Sequence, residues 1–445
     1  MNVSFYPISR VVTIFSCLLA LAGMQIARSQ GETVPPARPN IPGKIFRITE
    51  FGAKAEPTRN NAAAIQQAID TAVARGGGCV VIPAGKFMSG PIQLQSRIEL
   101  HLEAGSTLLM SPNFDDFPVQ NQRRQNFISA KDASDLRISG PGTIDGQGAA
   151  WWKAFRLEKN SGSAGARRPQ LIYLEHCQRI ELVGFSTLNP PNTHCSLPGS
   201  KDLTIEQVTL TAPGDSPNTD AINLSSVQNV VISHCHISTG DDNIVLLGSG
   251  NNDPAAPGVK NVLIHDCQLG VGHGLSIGSF TSAGVQNVRA ENLTFDGTTS
   301  GLRMKAWRDR GGLVKNITYR NITMQNVRYP IFLSSYYPRL PKGPADDLPA
   351  NGQNKVPEWR DISMEDVTIS HARYAAIIWG LPDRLIENLT LKNVKASADL
   401  GAVVFHAQAT FENVEIVPAN GPALQTDDAR VKGMEGTPFQ GDFRP

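Results

Sequence analysis

The residues of this chain that could do chemistry lie between Ser216 and Lys305. Four short pieces stand out: Ser-Pro-Asn-Thr-Asp (Ser216–Asp220), Thr-Gly-Asp-Asp (Thr239–Asp242), Gly-His-Gly (Gly272–Gly274) and Arg-Met-Lys (Arg303–Lys305). They supply three carboxylates (Asp220, Asp241, Asp242), one imidazole (His273) and two cations (Arg303, Lys305). Carboxylates packed together cannot all ionise without cost, so one should hold its proton to higher pH. Glycoside hydrolysis has that requirement, one carboxyl donating a proton and another accepting one. The glycines around His273 let the backbone bend and a ligand come close. Arg303 and Lys305 are two apart, so on a strand they share a face, and such a pair makes sense if a carboxylate is to sit between them. Taken singly, each motif has a plainer reading: a solvated turn at Gly-Asp-Asp, an Asx-turn at Asn-Thr-Asp, and a solvated basic edge running on to Arg308 and Arg310. Calcium binding by the Asp cluster is a further reading, without the EF-hand spacing. His234, His236 and His265 are read as structural.

Something must bring these pieces together, and the sequence holds a repeat able to do it. From Asp135 onward a polar residue, an apolar-x-apolar run and a second polar residue five positions later recur, as in Asn229-Val-Val-Ile-Ser-His234, Asn261-Val-Leu-Ile-His-Asp266, Asn287-Val-Arg-Ala-Glu-Asn292, Asn316-Ile-Thr-Tyr-Arg-Asn321 and Asn388-Leu-Thr-Leu-Lys-Asn393. Weaker copies start at Asp135, Arg179, Asp202 and Asp361. Start-to-start spacings run from 202 − 179 = 23 to 261 − 229 = 32 residues. Short β-type runs at that period predict a solenoid, and the lack of helical periodicity excludes the helical repeats. The recurring Asn suits side-chain ladders between successive coils, which an ordinary β-sandwich would not explain. Asp220 and Asp241 are one such period apart, so they can share a wall in neighbouring coils. Longer gaps are expected to hold loop insertions, Gln147–Arg168 and Tyr336–Pro357, on one face of the solenoid. Asn61–Arg75 has apolar residues at helical spacing and stops at Gly76-Gly77-Gly78, which predicts a helix capping the first coil. The fold expected is all-β: a single right-handed parallel β-helix from Ile45 to about residue 420, in a catalytic domain spanning 45–445.

Composition agrees with a globular chain: 445 residues, 18% charged and 40% hydrophobic. A net charge of +1 argues against nucleic-acid binding through overall charge. At the N-terminus, Arg10 precedes an apolar run from Val11 to Met24, followed by Ala27-Arg28-Ser29. This reads as an export signal over 1–29 and a Pro-rich linker over 30–44, too short to be a comfortable membrane span. A secreted or periplasmic protein, with no membrane contact after cleavage, is expected. Cleavage would leave Cys79, Cys177, Cys195, Cys235 and Cys267, an odd number that rules out a disulfide framework. Cys177, Cys235 and Cys267 each follow a His or Asp after an apolar run, which predicts stacking at equivalent positions of successive coils.

In order and spacing, the four motifs resemble the NTD, DD, GHG and RIK blocks of glycoside hydrolase family 28, the polygalacturonases and their relatives. Asn218-Thr219-Asp220, Gly240-Asp241-Asp242, Gly272-His273-Gly274 and Arg303-Met304-Lys305 carry the resemblance, which extends to Phe51-Gly52-Ala53 and Gly142-Thr143-Ile144-Asp145-Gly146. It implies a right-handed parallel β-helix and single-displacement, inverting hydrolysis of α-1,4-linked galacturonan without a metal or other cofactor. Asp241 would be the general acid, and Asp220 with Asp242 would position and deprotonate the water. His273 would support protonation of the acid, and Arg303 and Lys305 would grip the galacturonate carboxylate. A family Tyr corresponds to Tyr337 or the adjacent Tyr336, with Tyr337 favoured. Asn218 would hold Asp220 in place. Met304 stands where the family has Ile, an apolar swap expected to be harmless. Asn189–His194 lacks the aromatic residue many relatives carry there, and the disulfides of fungal and plant members do not carry over.

The expectation is a monomeric hydrolase whose partner is an acidic plant-type polysaccharide, galacturonan, with no nucleic-acid partner. Retention of His273, Arg303 and Lys305 favours a uronate at the cleavage site. The alternatives are a rhamnogalacturonan or xylogalacturonan hydrolase, a calcium-using β-helix lyase and a non-catalytic carbohydrate-binding solenoid. Endo or exo action is left open.

Overall fold

Short runs of alternating apolar residues cannot bury themselves alone, and here they do so by stacking in parallel, coil upon coil. The computed structural model describes residues 35–440 except 164, 250–256 and 347–354, together with Met1 and Phe443. The expected export signal and the first part of the linker lie outside the described residues. One sheet of 31 strands runs from Ile45–Arg47 to Thr437–Pro438, and its neighbours pair in parallel. This is a parallel β-helix, and strand twist makes its parallel connections right-handed. Pairing continues past residue 420, because Gln425 and Thr426 still pair with Thr437 and Pro438.

One wall carries the site. Ile222–Ser225, Ile244–Leu247, Leu275–Ile277, Ser300–Lys305 and Tyr329–Ser334 pair in succession. Ile222, Ile244, Leu275, Leu302 and Ile331 share a register column and are buried. Each such aliphatic side chain contributes roughly 2 kcal/mol of burial. Met304 lies in the next inward column between Ile277 and Leu333, fully buried, where Met packs as well as Ile.

The polar repeat marks the corners. Asp135, Arg179, Asp202, Asn229, Asn261, Asn287, Asn316, Asp361 and Asn388 all adopt left-handed backbone, with φ between 49° and 62°. Asn tolerates that conformation, and its amide can donate to one coil and accept from the next. Asn229 donates to Asp202 at 3.0 Å, Asn261 to Asn229 at 3.1 Å, Asn287 to Asn261 at 3.1 Å and Asn316 to Asn287 at 3.0 Å. A second ladder, five positions on, links Asn292 to Asp266 and Asn321 to Asn292.

Helix α1 (Ala62–Ala74) covers the first coil with Ile65, Ala68, Ile69 and Ala72, all buried. It ends where Gly76 and Gly77 turn left-handed, and a Cβ on Gly77 would strike the Arg97 carbonyl. The insertion after Gln147 is not the loop expected. Ala149–Ser161 forms a second helix, α2, anchored by Trp151 stacked on Phe114 at 3.8 Å and by Trp152 Nε1 donating to Pro190 O at 3.0 Å. Its residues are good helix formers, and Gly162 ends it at φ 71°. The second insertion is described only at its ends.

Cys79, Cys177, Cys195, Cys235 and Cys267 are all free thiols. Only part of the expected cysteine stack is found. Cys235 and Cys267 occupy one corner in adjacent coils, whereas Cys177 lies at a different corner, beside Ser200. A His-Cys pair after an apolar run marks a corner, but several corners per coil share that pattern.

Candidate active site

Strand pairing sets the first distances of the site. Asp220, Asp242 and His273 each lie two residues before paired positions (Ile222, Ile244, Leu275), so three adjacent coils present them at one level of the wall. Asp241 is the neighbour of Asp242. On the outer face, Arg303 is the register partner of Ser276, and Lys305 lies two residues further along the same strand.

Local turns fix the carboxylates. The Thr219 hydroxyl accepts from Gly240 N at 2.9 Å and lies 2.7 Å from Ser216 Oγ, which ties the first Asp turn to the second. Asp241 Oδ1 accepts from the Asp242 amide at 2.9 Å. His273 donates its own amide to Asp241 O at 2.9 Å, and its Nδ1 lies 3.1 Å from Asp241 Oδ1 and 3.9 Å from Asp242 Oδ1. Gly272 and Gly274 flank it because Cβ atoms there would strike the Asn243 side chain and the Ser300 carbonyl. Asn243, fully buried, donates to Val271 O at 3.0 Å and accepts from Gly274 N at 2.7 Å.

The cations meet a carboxylate of the protein itself. Asp242 Oδ1 accepts from Arg303 at 3.1 Å and from Ser276 Oγ at 2.7 Å, while Oδ2 accepts from Lys305 Nζ at 2.7 Å. Lys305 and Asp242 are almost fully buried, with side-chain exposures of 7% and 6%, whereas Asp241 retains 25%. The ring of Tyr337 packs beside both cations, 5.9 Å from the Arg303 guanidinium and 5.3 Å from Lys305 Nζ. Tyr336 instead turns inward between Trp307 and Trp379. Of the two adjacent tyrosines, Tyr337 is the one whose ring lies beside Arg303 and Lys305.

Protonation differs among the carboxylates. Burial, then the charges of Asp241 and Asp242, push Asp220 up to about 8. Burial also acts to raise Asp241, but the hydrogen bond and charge of His273, with help from Lys305, hold it below the usual carboxylate range. In the free protein the proton of the cluster therefore rests on Asp220, and Asp241 is ionised beside His273. Asp241, Asp242 and His273 could also offer three ligand atoms to a cation.

Two partners differ from expectation. Asp220 Oδ2 accepts from Asn223 at 3.0 Å, so Asn223 holds it, while Asn218 Nδ2 reaches Asp241 Oδ2 at 3.4 Å. Asn218 is held in turn by Arg168, whose guanidinium donates to Asn218 Oδ1 at 2.8 Å, Pro191 O at 2.6 Å and Pro217 O at 2.9 Å. Arg168 stacks on Phe155 of α2, 4.1 Å from the ring centre. Phe155, Arg167, Arg168, Asn192 and Asn218 line a pocket of about 550 Å³ next to the carboxylates. An aromatic ring thus stands beside the Asn189–His194 segment that lacks one. Asn223 could have been found by counting two residues from the strand start, but no local pattern marks Arg168 or Ser276.

The model of the glycosyl hydrolases family 28 matches residues 76–419. An endo-polygalacturonase of Pectobacterium carotovorum subsp. carotovorum is 30% identical over 418 residues, which covers 88% of this chain and 95% of the relative. The solved polygalacturonase from Erwinia carotovora ssp. carotovora superposes with a TM-score of 0.69 at 26% identity, over 90% of this chain and all of that one. The structure of a hyperthermoactive exopolygalacturonase from Thermotoga maritima gives 0.76 at 23% identity, over 87% and 95%.

Proposed function

This chain belongs to glycosyl hydrolase family 28, and from that premise we propose that it is a pectin-degrading polygalacturonase that cleaves the α-1,4-galacturonosyl bond with inversion. One observation carries the reading: three carboxylates and an imidazole from three successive coils converge on Arg303 and the buried Lys305 of the fourth. Acid–base groups and an anion grip are what an acidic glycan requires.

Asp241 is proposed as the acid, since it is the more exposed of the adjacent pair and His273 touches it. A sugar covering Asp241 strips its water and adds negative charge, and both raise its proton affinity. His273 can then pass a proton to it. Asp241 protonates the departing glycosidic oxygen while ionised Asp242 takes the proton of the attacking water on the opposite face, and Asp220 positions that water. Proton exchange with solvent resets the cluster. A uronate carboxylate reaching Arg303 and Lys305 competes with Asp242 for them, so binding of the anion would free Asp242 to act on the water. Tyr337 and Asn218 complete the sugar contacts.

The test is release of reducing ends from polygalacturonate, with the product anomer read by NMR. Asp241→Asn should lower kcat by about 10²–10⁴. Full activity in that variant would remove the acid assignment, and a chelator-sensitive unsaturated product would make the enzyme a lyase. We also propose that the protein is exported. No helix among the described residues is long and apolar enough to cross a membrane. N-terminal sequencing of the mature protein should find cleavage after Ser29.

A further inference from the structure

A second cluster of metal-ligating side chains lies outside the cleft, on the corner that follows strand Gln228–Ser233 and its neighbour Val259–His265. His234 and Asp266 occupy equivalent corner positions in adjacent coils, both left-handed at φ 54°. His265 precedes Asp266, and its Nδ1 lies 2.6 Å from Asp266 Oδ2. His234 Nε2 lies 4.0 Å from that same oxygen. The two imidazoles meet edge to face at 5.7 Å, and one ligand atom from each of the three residues lies within 4.8 Å of the others.

We propose that His234, His265 and Asp266 form a divalent transition-metal site, best suited to zinc, that staples these two coils together. Two imidazoles and one carboxylate favour Zn²⁺ over the hard cations Ca²⁺ and Mg²⁺. Tetrahedral zinc wants its ligands about 3.4 Å apart, given bonds of about 2.0–2.2 Å. The 4.0 Å separation must contract and the 2.6 Å contact must open, and rotation of three partly exposed side chains does both. The metal replaces the proton between His265 and Asp266, and the neutral imidazole carries its proton on Nε2 instead. Asp266 Oδ1 already accepts from Asn292 at 2.9 Å, the outer hydrogen bond that orients a ligating carboxylate. Glu291, register partner of His265, adds negative charge to this face, although Arg289 lies 3.4 Å from it. Water fills the remaining position.

The consequence reaches the cleft without entering it. The coil of His234 runs on through His236–Ser238 to Asp241, and the coil of Asp266 runs on through Gln268–Leu269 to His273. A cation here locks together the coils that carry those two residues. The proposal stands on corner geometry alone and survives if the hydrolase reading fails.

Titration of the metal-stripped full chain with zinc chloride at neutral pH tests it by calorimetry. One zinc should bind per site, with a Tm that rises as zinc is added. His234→Asn keeps a residue that tolerates the left-handed corner, and Asp266→Asn keeps the ladder. Each of these, and His265→Gln, should weaken binding at least tenfold and abolish the Tm rise, while hydrolysis without added zinc stays unchanged. No binding up to about 1 mM zinc, a limit near 4 kcal/mol, would overturn the proposal. So would undiminished binding in all three variants, or binding lost only in His273→Ala, which would put the ion in the cleft.

Discussion

Lys305 and Asp242 form a buried ion pair, Nζ to Oδ2 at 2.7 Å, across 63 residues of chain. The carboxylate that the basic pair awaits is occupied, in the free protein, by an internal one. Breaking a buried pair from one side leaves a charge without its partner, which costs about 3–5 kcal/mol. Arg303 still reaches Asp242, so Lys305→Met should cost somewhat less, about 3 kcal/mol, in denaturant unfolding. Asp242→Asn in the Lys305→Met background should restore part of that stability while leaving turnover lost.

Asp220 gives stability a pH dependence. Its folded pKa, about 8, lies above the ordinary 3.8, so the folded state binds the proton more tightly than the unfolded chain. The stabilisation is complete below about pH 4 and is lost as pH rises through about 8. Asp220→Asn should remove this slope and raise stability near pH 9, by on the order of 2 kcal/mol, while hydrolysis falls. Thermal melts of both proteins from pH 4 to 9 check it; parallel curves would refute it.

Arg168 acts on Asp241 through Asn218. Arg168→Ala frees the Asn218 amide, and two neighbouring coils lose their common donor. A roughly tenfold drop in kcat, about 1.4 kcal/mol, is expected with a smaller change in KM. Combining it with Asn218→Ala should add little further loss, the non-additivity of residues acting as one unit.

The corner ladder predicts a graded response at Asn287, which donates to Asn261 and accepts from Asn316 at φ 57°. Asn287→Gly loses two exposed hydrogen bonds but keeps the backbone relaxed, about 1 kcal/mol. Asn287→Ala adds left-handed strain and should cost about 2 kcal/mol. Urea unfolding separates the two.

Burial pushes the Cys79 thiol up to about 12 and Cys177 up to about 11. Neither should react with iodoacetamide at pH 8 in the native protein, and both should react in denaturant. Mass spectrometry of the alkylated chain reads this directly.

Features that depend on residue type at a fixed interval are legible in the chain before it folds. The Asn repeat marked corners because few side chains accept left-handed backbone and also bond upward and downward. Asp220, Asp241, Asp242, His273, Arg303 and Lys305 were legible because four successive coils carry them, one motif to a coil. Helix α1 was legible from its apolar period and its glycine stop. Contacts fixed by packing across coils were not. Asn218 turning to Asp241, Asn223 taking Asp220 and Ser276 reaching Asp242 depend on the lateral offset of neighbouring coils, which no local pattern encodes. Arg168 enters only because Trp151 and Trp152 seat α2 against the wall. His265 adjoins Asp266 in the sequence, but only the stacking of coils brings His234 to the same carboxylate. Which carboxylate holds the proton was likewise decided in three dimensions, since burial and the distance between charges set it, and both belong to the folded chain.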